Sequence, residues 1–495
     1  MSRTGQTVAK NASFLMVSQV ITWVLAMLLT LFLPRILGAE GVGQLHLADS
    51  LWAIVGIFLA FGMDTYLTKV IARNPERTGE LLGVSSVLRA ILFAFGFIGV
   101  VIYTKIAGYA PITSLVIFIY GAGTLVGQLG SATLATLVGL ERMEFVAIAN
   151  VASRLTSTVV VIAVLLAGYG VVAAATIFAI ASLVSLIIQY YFLRRLQPLR
   201  FSFNFELARA MLKASLPYMF VMVFSVMYMN LDAIVISLQV NEETLGWYSG
   251  ADRLFGTLMF VPSVFMTVVF PTLSRLNTES PEEMRKLMRR SFNMLLVIGV
   301  PIGLGILCVA NNVVVLIFGE SFAPSGPVLA ILGVVLIFTY QNILLGQFLI
   351  AVDRQNIWTV VMAVATAATI PLDLFFIPLM NRQFGNGALG GALSFVVTEI
   401  FMTIVGLHYL PQGVLNRHNY WVAGKILFAG FIMAAVVWPL RNLFVAIPIT
   451  VGGIVYIGLI LLFQVITDED KTMMINQGLR IWQRIIGRRS RSVGI

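Results

Sequence analysis

Gly43-Gln-Leu-His-Leu-Ala-Asp-Ser-Leu51 and Gly246-Trp-Tyr-Ser-Gly-Ala-Asp-Arg-Leu254 carry glycine, an Ala-Asp pair and leucine at matching positions, 203 residues apart. Each stretch opens an apolar run. A second echo, at an offset of 212, joins Gly139-Leu-Glu141-Arg142 to Ala351-Val-Asp353-Arg354, an acidic residue followed by arginine. One echo alone is weak; two at equivalent places imply duplication of a unit about 200 residues long.

Working outward, apolar runs of about twenty residues, enough to cross a bilayer core, fall near 11–34, 45–66, 83–106, 110–136, 147–167 and 169–193. Six more fall near 214–238, 249–273, 291–318, 326–351, 355–378 and 386–410, and two last ones near 420–440 and 442–466. Six is even, so the two copies share one orientation and are related by an axis along the membrane normal, which leaves a cleft between them. The predicted fold class is an all-α integral membrane protein of about 14 transmembrane helices, two pseudo-symmetric six-helix lobes around a central cleft plus a C-terminal helix pair. The expected divisions are an N-terminal lobe over 1–197, a cytoplasmic linker over 198–213, a C-terminal lobe over 214–410, the helix pair over 411–466 and a basic amphipathic tail over 467–495.

Composition agrees. Hydrophobic residues make up 59% of 495 positions and charged ones only 11%, with mean hydropathy +0.95, a balance that requires lipid around most of the surface. Unpaired backbone groups cost several kcal/mol in hydrocarbon, so the spans are helices or a closed barrel, and long unbroken apolar runs exclude a barrel's alternation. The net charge of +10 is that of basic residues flanking membrane spans, not of a nucleic-acid binder. With both termini placed in the cytoplasm, 27 of the 32 Lys and Arg fall on the inner side, and Arg35, Lys105, Arg253, Arg382 and Arg441 fall outside. That segregation supports a multi-pass protein of the cell membrane. The first apolar stretch is too long for a signal h-region. The single cysteine, Cys308, forms no intrachain disulfide. Pro217, Pro262, Pro301 and Pro371 interrupt apolar runs in the second lobe, as kinks or hinges.

Leu33-Pro-Arg-Ile-Leu-Gly38, Gly41-Val-Gly43 and Ala48-Asp49 in the first copy, with Asp232, Leu245-Gly-Trp-Tyr248 and Ala251-Asp-Arg-Leu254 in the second, carry a family resemblance over the whole chain. The sequence resembles the polysaccharide-exporter, or oligosaccharide flippase, branch of the multidrug, oligosaccharidyl-lipid and polysaccharide flippase superfamily. That resemblance implies passage of a lipid-linked (polyprenyl-diphosphate) oligosaccharide from the cytoplasmic to the outer leaflet by alternating access. It implies membrane lipids, H+ or Na+, and a polysaccharide polymerase or glycosyltransferases as further partners. Two departures are visible. No basic residue falls between Lys10 and Arg35 or between Arg35 and Lys69, unlike the peptidoglycan-precursor flippases; no acidic residue precedes Glu40, unlike many cation-coupled multidrug exporters, which are the alternative reading.

A sugar chain on a diphosphate crosses hydrocarbon only in a wet cleft that offers cations, hydroxyls and amides. Arg89 and Arg154, each expected within about two turns of the cytoplasmic end, are the candidate diphosphate contacts. Asn150, Arg154 and Ser157 share one helical face by spacing, and Tyr218, Ser225 and Tyr228 form a polar and aromatic stripe with Asp232. Gln128, Gln341 and Asn342 complete the candidate substrate-binding set. Glu399 and Asp373 lie within apolar runs and are candidates for coupling, while Asp49, Asp232, Asp252, Arg35 and Arg253 fall near the outer face as a candidate gate. An enzyme is not expected: the only histidines are His46, His408 and His418, and the sequence has no phosphate-binding glycine loop or metal-ligand cluster. No cofactor and no metal centre are predicted.

Overall fold

A computed structural model describes residues 3–197, 203–411 and 413–465, and among them every regular element is a helix. Twelve helices are long and apolar enough to cross a membrane. The first, Ser18–Ala60, belongs to a continuous run that leaves helical geometry at Gly38 (φ 70°, ψ −179°) and is therefore two spans. Glycine takes this left-handed φ without a Cβ clash. Ala446–Leu462 is a shorter apolar helix. Divided this way, the described residues hold about fourteen apolar segments, matching the expected number.

We label them α1 (3–37), α2 (39–60), α3 (Pro75–Ala107), α4 (Pro111–Gly139), α5 (Met143–Leu166), α6 (Val171–Leu196) and α7 (Phe205–Gln239). Then follow α8 (Glu242–Glu279), α9 (Pro281–Phe318), α10 (Ser325–Ala351), α11 (Gln355–Phe384), α12 (Ala388–His408), α13 (Arg417–Leu440) and α14 (Ala446–Leu462). A short helix, Met63–Arg73, continues α2 beyond a break at Phe61 and Gly62. The helices pack as two groups, α1–α6 and α7–α12, which meet through extensive packing of the α1–α2 run against α7 and α8, with α13 and α14 against α9.

The sequence echoes are structural. Glu141 (φ 57°) and Asp353 (φ 59°) both adopt the left-handed conformation after α4 and α10. In each, the next arginine's N–H closes the helix, Arg142 onto Leu137 O at 2.9 Å and Arg354 onto Leu349 O at 2.7 Å. This six-to-one bond satisfies a terminal carbonyl that lipid or protein would otherwise leave unpaired.

Several boundaries differ from expectation. α7 begins at Phe205, not 214, because Asn204 accepts from the N–H groups of Glu206 and Leu207 and starts the helix in polar sequence. α9 begins at Pro281, capped by Ser280, ten residues before its apolar run. A hydropathy window sees only the part of a helix that faces lipid. Pro34, Pro271 and Pro378 also lie inside helices, so kinking prolines are not confined to the second lobe as expected, while Pro262 follows an interruption of α8 at Met259. The tail over 467–495 lies outside the described residues.

Candidate functional site

At one end of the bundle, the end bearing Gly38, the two lobes touch. A Cβ on Gly43 would lie 1.8 Å from Glu242 O, and a Cβ on Gly246 would lie 1.8 Å from Ala39 O. The two echoed glycines thus exist to let α2 and α8 backbones meet. Around them Gln44 Nε2 donates to Thr113 Oγ1 at 3.3 Å, Thr113 Oγ1 donates to Glu242 Oε1 at 3.1 Å, and the Tyr109 and Ser237 hydroxyls lie 2.8 Å apart. Arg35 reaches across the lobes and donates to Ile317 O at 2.7 Å and to Leu316 O, capping the carbonyl end of α9. Arg35 therefore bridges the lobes at this end through helix-end carbonyls and not through the acids grouped with it in sequence.

Deeper in, a cavity of about 320 Å³ lies between the lobes. Its walls follow from helical periodicity: Asp49, Trp52 and Gly56 from α2, Tyr120, Thr124 and Gln128 from α4 at intervals of four, and Met222 and Val226 from α7. The Tyr120 hydroxyl donates to Asp49 Oδ1 at 2.6 Å. Trp52 is locked by its indole N–H on Ile117 O at 2.8 Å and by Phe93 and Phe97 stacked on its ring. Two cations lie near these walls without lining the cavity. Arg154 from α5 lies within electrostatic range of Tyr120 and Arg253, and Arg253 from α8 within range of Asp49, Asp252, Tyr120 and His46. Arg253 Nε is buried with no acceptor among the described residues. Two guanidiniums from opposite lobes, not paired to one another, are the arrangement that a doubly charged bridging anion satisfies.

The predicted residues divide into three groups. Asp49 and Gln128 line the cavity, with Arg154, Arg253 and Asp252 within electrostatic range of that region. Arg89 is not: fully buried in α3, it donates to Asp64 Oδ1 at 2.5 Å and to Gln128 O and Oε1, both at 2.8 Å. Ser131 donates to the other Asp64 oxygen at 2.6 Å. The missing signal was Asp64, which follows an apolar run and reads from sequence as an interfacial charge. Asn150 is exposed and Ser157 is 6% exposed. The shared face fails because residues Thr156–Val160 form a π-helical turn, whose extra residue rotates everything beyond Arg154.

The third group lies inside the C-terminal lobe. α10 is the most enclosed helix, 72% buried over its apolar window, so Gln341 and Asn342 point into protein and not into the cleft. Tyr228 is likewise turned inward: its hydroxyl donates to Glu399 Oε1 at 3.0 Å and contacts Thr398 Oγ1 at 2.9 Å. Asn342 Nδ2 donates to Glu399 Oε2 at 2.8 Å and to Glu399 O at 2.9 Å. Asp232 takes the Tyr248 hydroxyl at 2.8 Å and faces Asp373, which has 0% exposure and, among the described residues, no donor on either oxygen. The α7 stripe thus splits: Ser225 is exposed, Tyr218 packs at the Gly62 contact, and Tyr228 and Asp232 leave the cleft side to Met222 and Val226. Arg253 was read as a gate and Tyr120 and Trp52 were not singled out, although the Asp49 and Asp252 echo already set α2 against α8.

Two six-helix lobes of one orientation, closed at one end beside a cavity that lies between them, define a two-lobed helical membrane transporter. The chain belongs to the Polysaccharide biosynthesis protein family, whose model matches residues 8–277. It is 23% identical over 448 residues to the probable low-salt glycan biosynthesis flippase Agl15 of Haloferax volcanii, covering 88% of this chain and 92% of that protein. It is 22% identical to the putative O-antigen transporter of Shigella dysenteriae, over 75% of this chain and 91% of that one. Among solved structures it resembles the lipid II flippase MurJ in its inward closed conformation, with TM-score 0.72 and 14% identity, over 92% of this chain and 98% of that one. An inward-facing multidrug resistance MATE family transporter of the MOP superfamily aligns with TM-score 0.61 and 15% identity, over 82% and 95%. At these identities the structural likeness is one of fold.

Proposed function

We propose that this protein is a flippase that moves lipid-linked oligosaccharide repeat units from the cytoplasmic to the outer leaflet for cell-surface polysaccharide assembly. What supports the reading is the inter-lobe cavity, with Arg154 and Arg253 from opposite lobes both within electrostatic range of its Tyr120 wall. A diphosphate between them binds both lobes at once, so releasing it on the far side requires the lobes to rearrange. The prenyl tail stays in lipid, and the cavity removes the cost of a few kcal/mol per unsatisfied sugar hydroxyl. The flippase and O-antigen names of the relatives support this cargo.

In this reading the lobes are 1–197 and 214–410, joined through 198–213, with 411–466 as an accessory pair and the basic end of the bundle cytoplasmic. The Gly38 end is then outer, and the contacts among Arg35, Gly43, Thr113, Glu242 and Gly246 are its closed gate. Glu399 and the facing pair Asp232 and Asp373 supply coupling: two adjacent buried carboxyls are satisfied by a shared proton or by a monovalent cation. A polymerase or glycosyltransferase receives the cargo outside or loads it inside.

Depleting the protein in its host and measuring which leaflet holds the lipid-linked sugars tests the reading. Inner-leaflet accumulation, restored by the wild type and not by Arg154→Ala at equal membrane abundance, is expected. Unchanged sugar lipids with heightened drug sensitivity would replace the flippase by a multidrug exporter of the same fold.

A further inference from the structure

The central cavity has a side chamber. Between α4 and α6 lies a space of about 190 Å³ whose walls include Tyr120, Thr124 and Gln128, the same side chains that border the inter-lobe cavity, so the two spaces adjoin along α4. Its remaining walls are Phe178 and Ser182 of α6 and the helical glycines of α4. The chamber is polar and uncharged, in contrast to the arginine pair beside it.

Its hydrogen-bonding capacity is one-sided. Thr124 Oγ1 donates to Tyr120 O at 3.0 Å and Ser182 Oγ to Phe178 O at 3.2 Å, which spends both hydroxyl protons on the helices and leaves oxygen lone pairs free. Gln128 is held through Oε1 by the buried Arg89 guanidinium at 2.8 Å, while its Nε2 makes only a 3.4 Å contact with Gly56 O. Arg89 therefore acts here as a positioning residue for the amide. The chamber offers acceptors at Thr124 and Ser182, an oriented amide donor at Gln128, and aromatic rings at Tyr120 and Phe178. Hydroxyl-rich rings with one apolar face match that set.

The space exists because of one residue. A Cβ on Gly123 would lie 2.9 Å from Ala179 Cα, so there the helices touch, whereas a Cβ on Gly127 would find only Ser182 Oγ, at 4.0 Å. A cavity of about 150 Å³ suffices for one six-membered ring, so the chamber holds a single pyranose and not two.

We propose that this chamber between α4 and α6 is a carbohydrate subsite that takes the sugar ring adjoining the diphosphate. The inference rests on the flippase reading and on Arg154 and Arg253 as the diphosphate contacts, and it makes the first sugar a specificity element read by the N-terminal lobe.

The test uses the purified full-length protein in detergent and native mass spectrometry with farnesyl diphosphate and its glucose, galactose, N-acetylglucosamine and N-acetylgalactosamine conjugates. At least one conjugate is expected to bind about tenfold more tightly than farnesyl diphosphate itself, the size of gain a few matched polar contacts bring. Gly127→Leu, which fills the chamber without meeting backbone and improves helix propensity, should erase that gain and leave farnesyl diphosphate binding within about twofold. Gly127→Ala should keep the gain; Ser182→Ala, which removes an acceptor without adding bulk, should reduce it. No gain with any of the four sugars, or a gain that survives Gly127→Leu, overturns the subsite. If farnesyl diphosphate fails to bind, or binds equally after Arg154→Ala and Arg253→Ala, the diphosphate reading falls and the subsite with it.

Discussion

Gly246→Ala should push the two lobes apart at the Gly38 end and should do so without unfolding either. The new methyl would sit 1.8 Å from Ala39 O and 2.5 Å from Ala39 C, when real Cβ contacts essentially never fall under 3.0 Å. Both neighbours are backbone, so no side chain can swing away, and α2 must retreat from α8 by roughly 1 Å or more. Overpacking of this kind costs about 1–3 kcal/mol. Only the closed arrangement bears that cost, since α2 and α8 meet at this point only when closed, so the closed-to-open ratio should fall about 5- to 150-fold. Gly43→Ala clashes at the same interface, with Glu242 O at 1.8 Å, and the pair should be less than additive because one displacement relieves both. The reporter is Thr113→Cys in a Cys308→Ala background: Thr113 has 0% exposure and sits inside the closed contact. Labelling by a membrane-impermeant maleimide should accelerate in Gly246→Ala and not in Gly256→Ala, a control in the same helix with no atom within 4 Å of its Cβ. Equal labelling in all three would refute the argument that the echoed glycines close this end.

Three further outcomes follow from the geometry. Arg253→Ala should abolish lipid-linked sugar export at normal membrane abundance, with Arg253→Lys retaining part of it because charge survives without the bidentate fork; full export by the alanine variant in the leaflet assay would remove Arg253 from the site. Asp64→Ala leaves a fully buried guanidinium unpaired and should cost about 3 kcal/mol in thermal unfolding, the low end for a broken buried pair because Asp64 is partly open; Asp64→Ala with Arg89→Leu should recover most of it, and a double variant no more stable than the single would contradict the pairing. Glu399→Gln should leave unfolding within about 1 kcal/mol, since Tyr228 and Asn342 keep partners, yet remove the response of export to an imposed pH gradient; an unaltered response would exclude Glu399 from coupling.

The parts of this fold that sequence makes legible are those set by a one-dimensional signal. Apolar run length finds the spans, and the Gly, Ala-Asp and acidic-Arg echoes find the duplication because each marks a backbone demand: Gly43 and Gly246 a close approach, Glu141 and Asp353 a left-handed helix end. The side chains of the site are less legible because direction inside a bundle depends on neighbours. Arg89 and Arg154 look alike in sequence, each an arginine in an apolar helix, and only the position of Asp64 separates a structural pair from a free cation. Ser157 is displaced by a π turn that no spacing rule anticipates, and Tyr228 is captured by Glu399, 171 residues away.

Duplication and divergence have different jobs here. The features that both copies retain are mechanical: the paired glycines and the matched ends of α4 and α10 let two lobes pack around one axis. The charges inside the spans, Arg154, Asp373 and Glu399, are not shared. Arg154 corresponds, at the offset of 212, to Thr366, which bonds its own helix at Met362 O. Asp373 corresponds to Val161, and α6, the counterpart of α12, carries no acidic residue to match Glu399. Arg154 of the N-terminal lobe and Arg253 of α8 thus lie near the inter-lobe cavity, while Asp232, Asp373 and Glu399 are buried inside the C-terminal lobe. An anion held between Arg154 and Arg253 would act on both lobes, whereas a cation bound among the buried acids would act on the C-terminal lobe alone. In a transporter built this way the contact between its lobes, where α2 and α8 meet at Gly43 and Gly246, would carry the effect of either binding event to the other lobe.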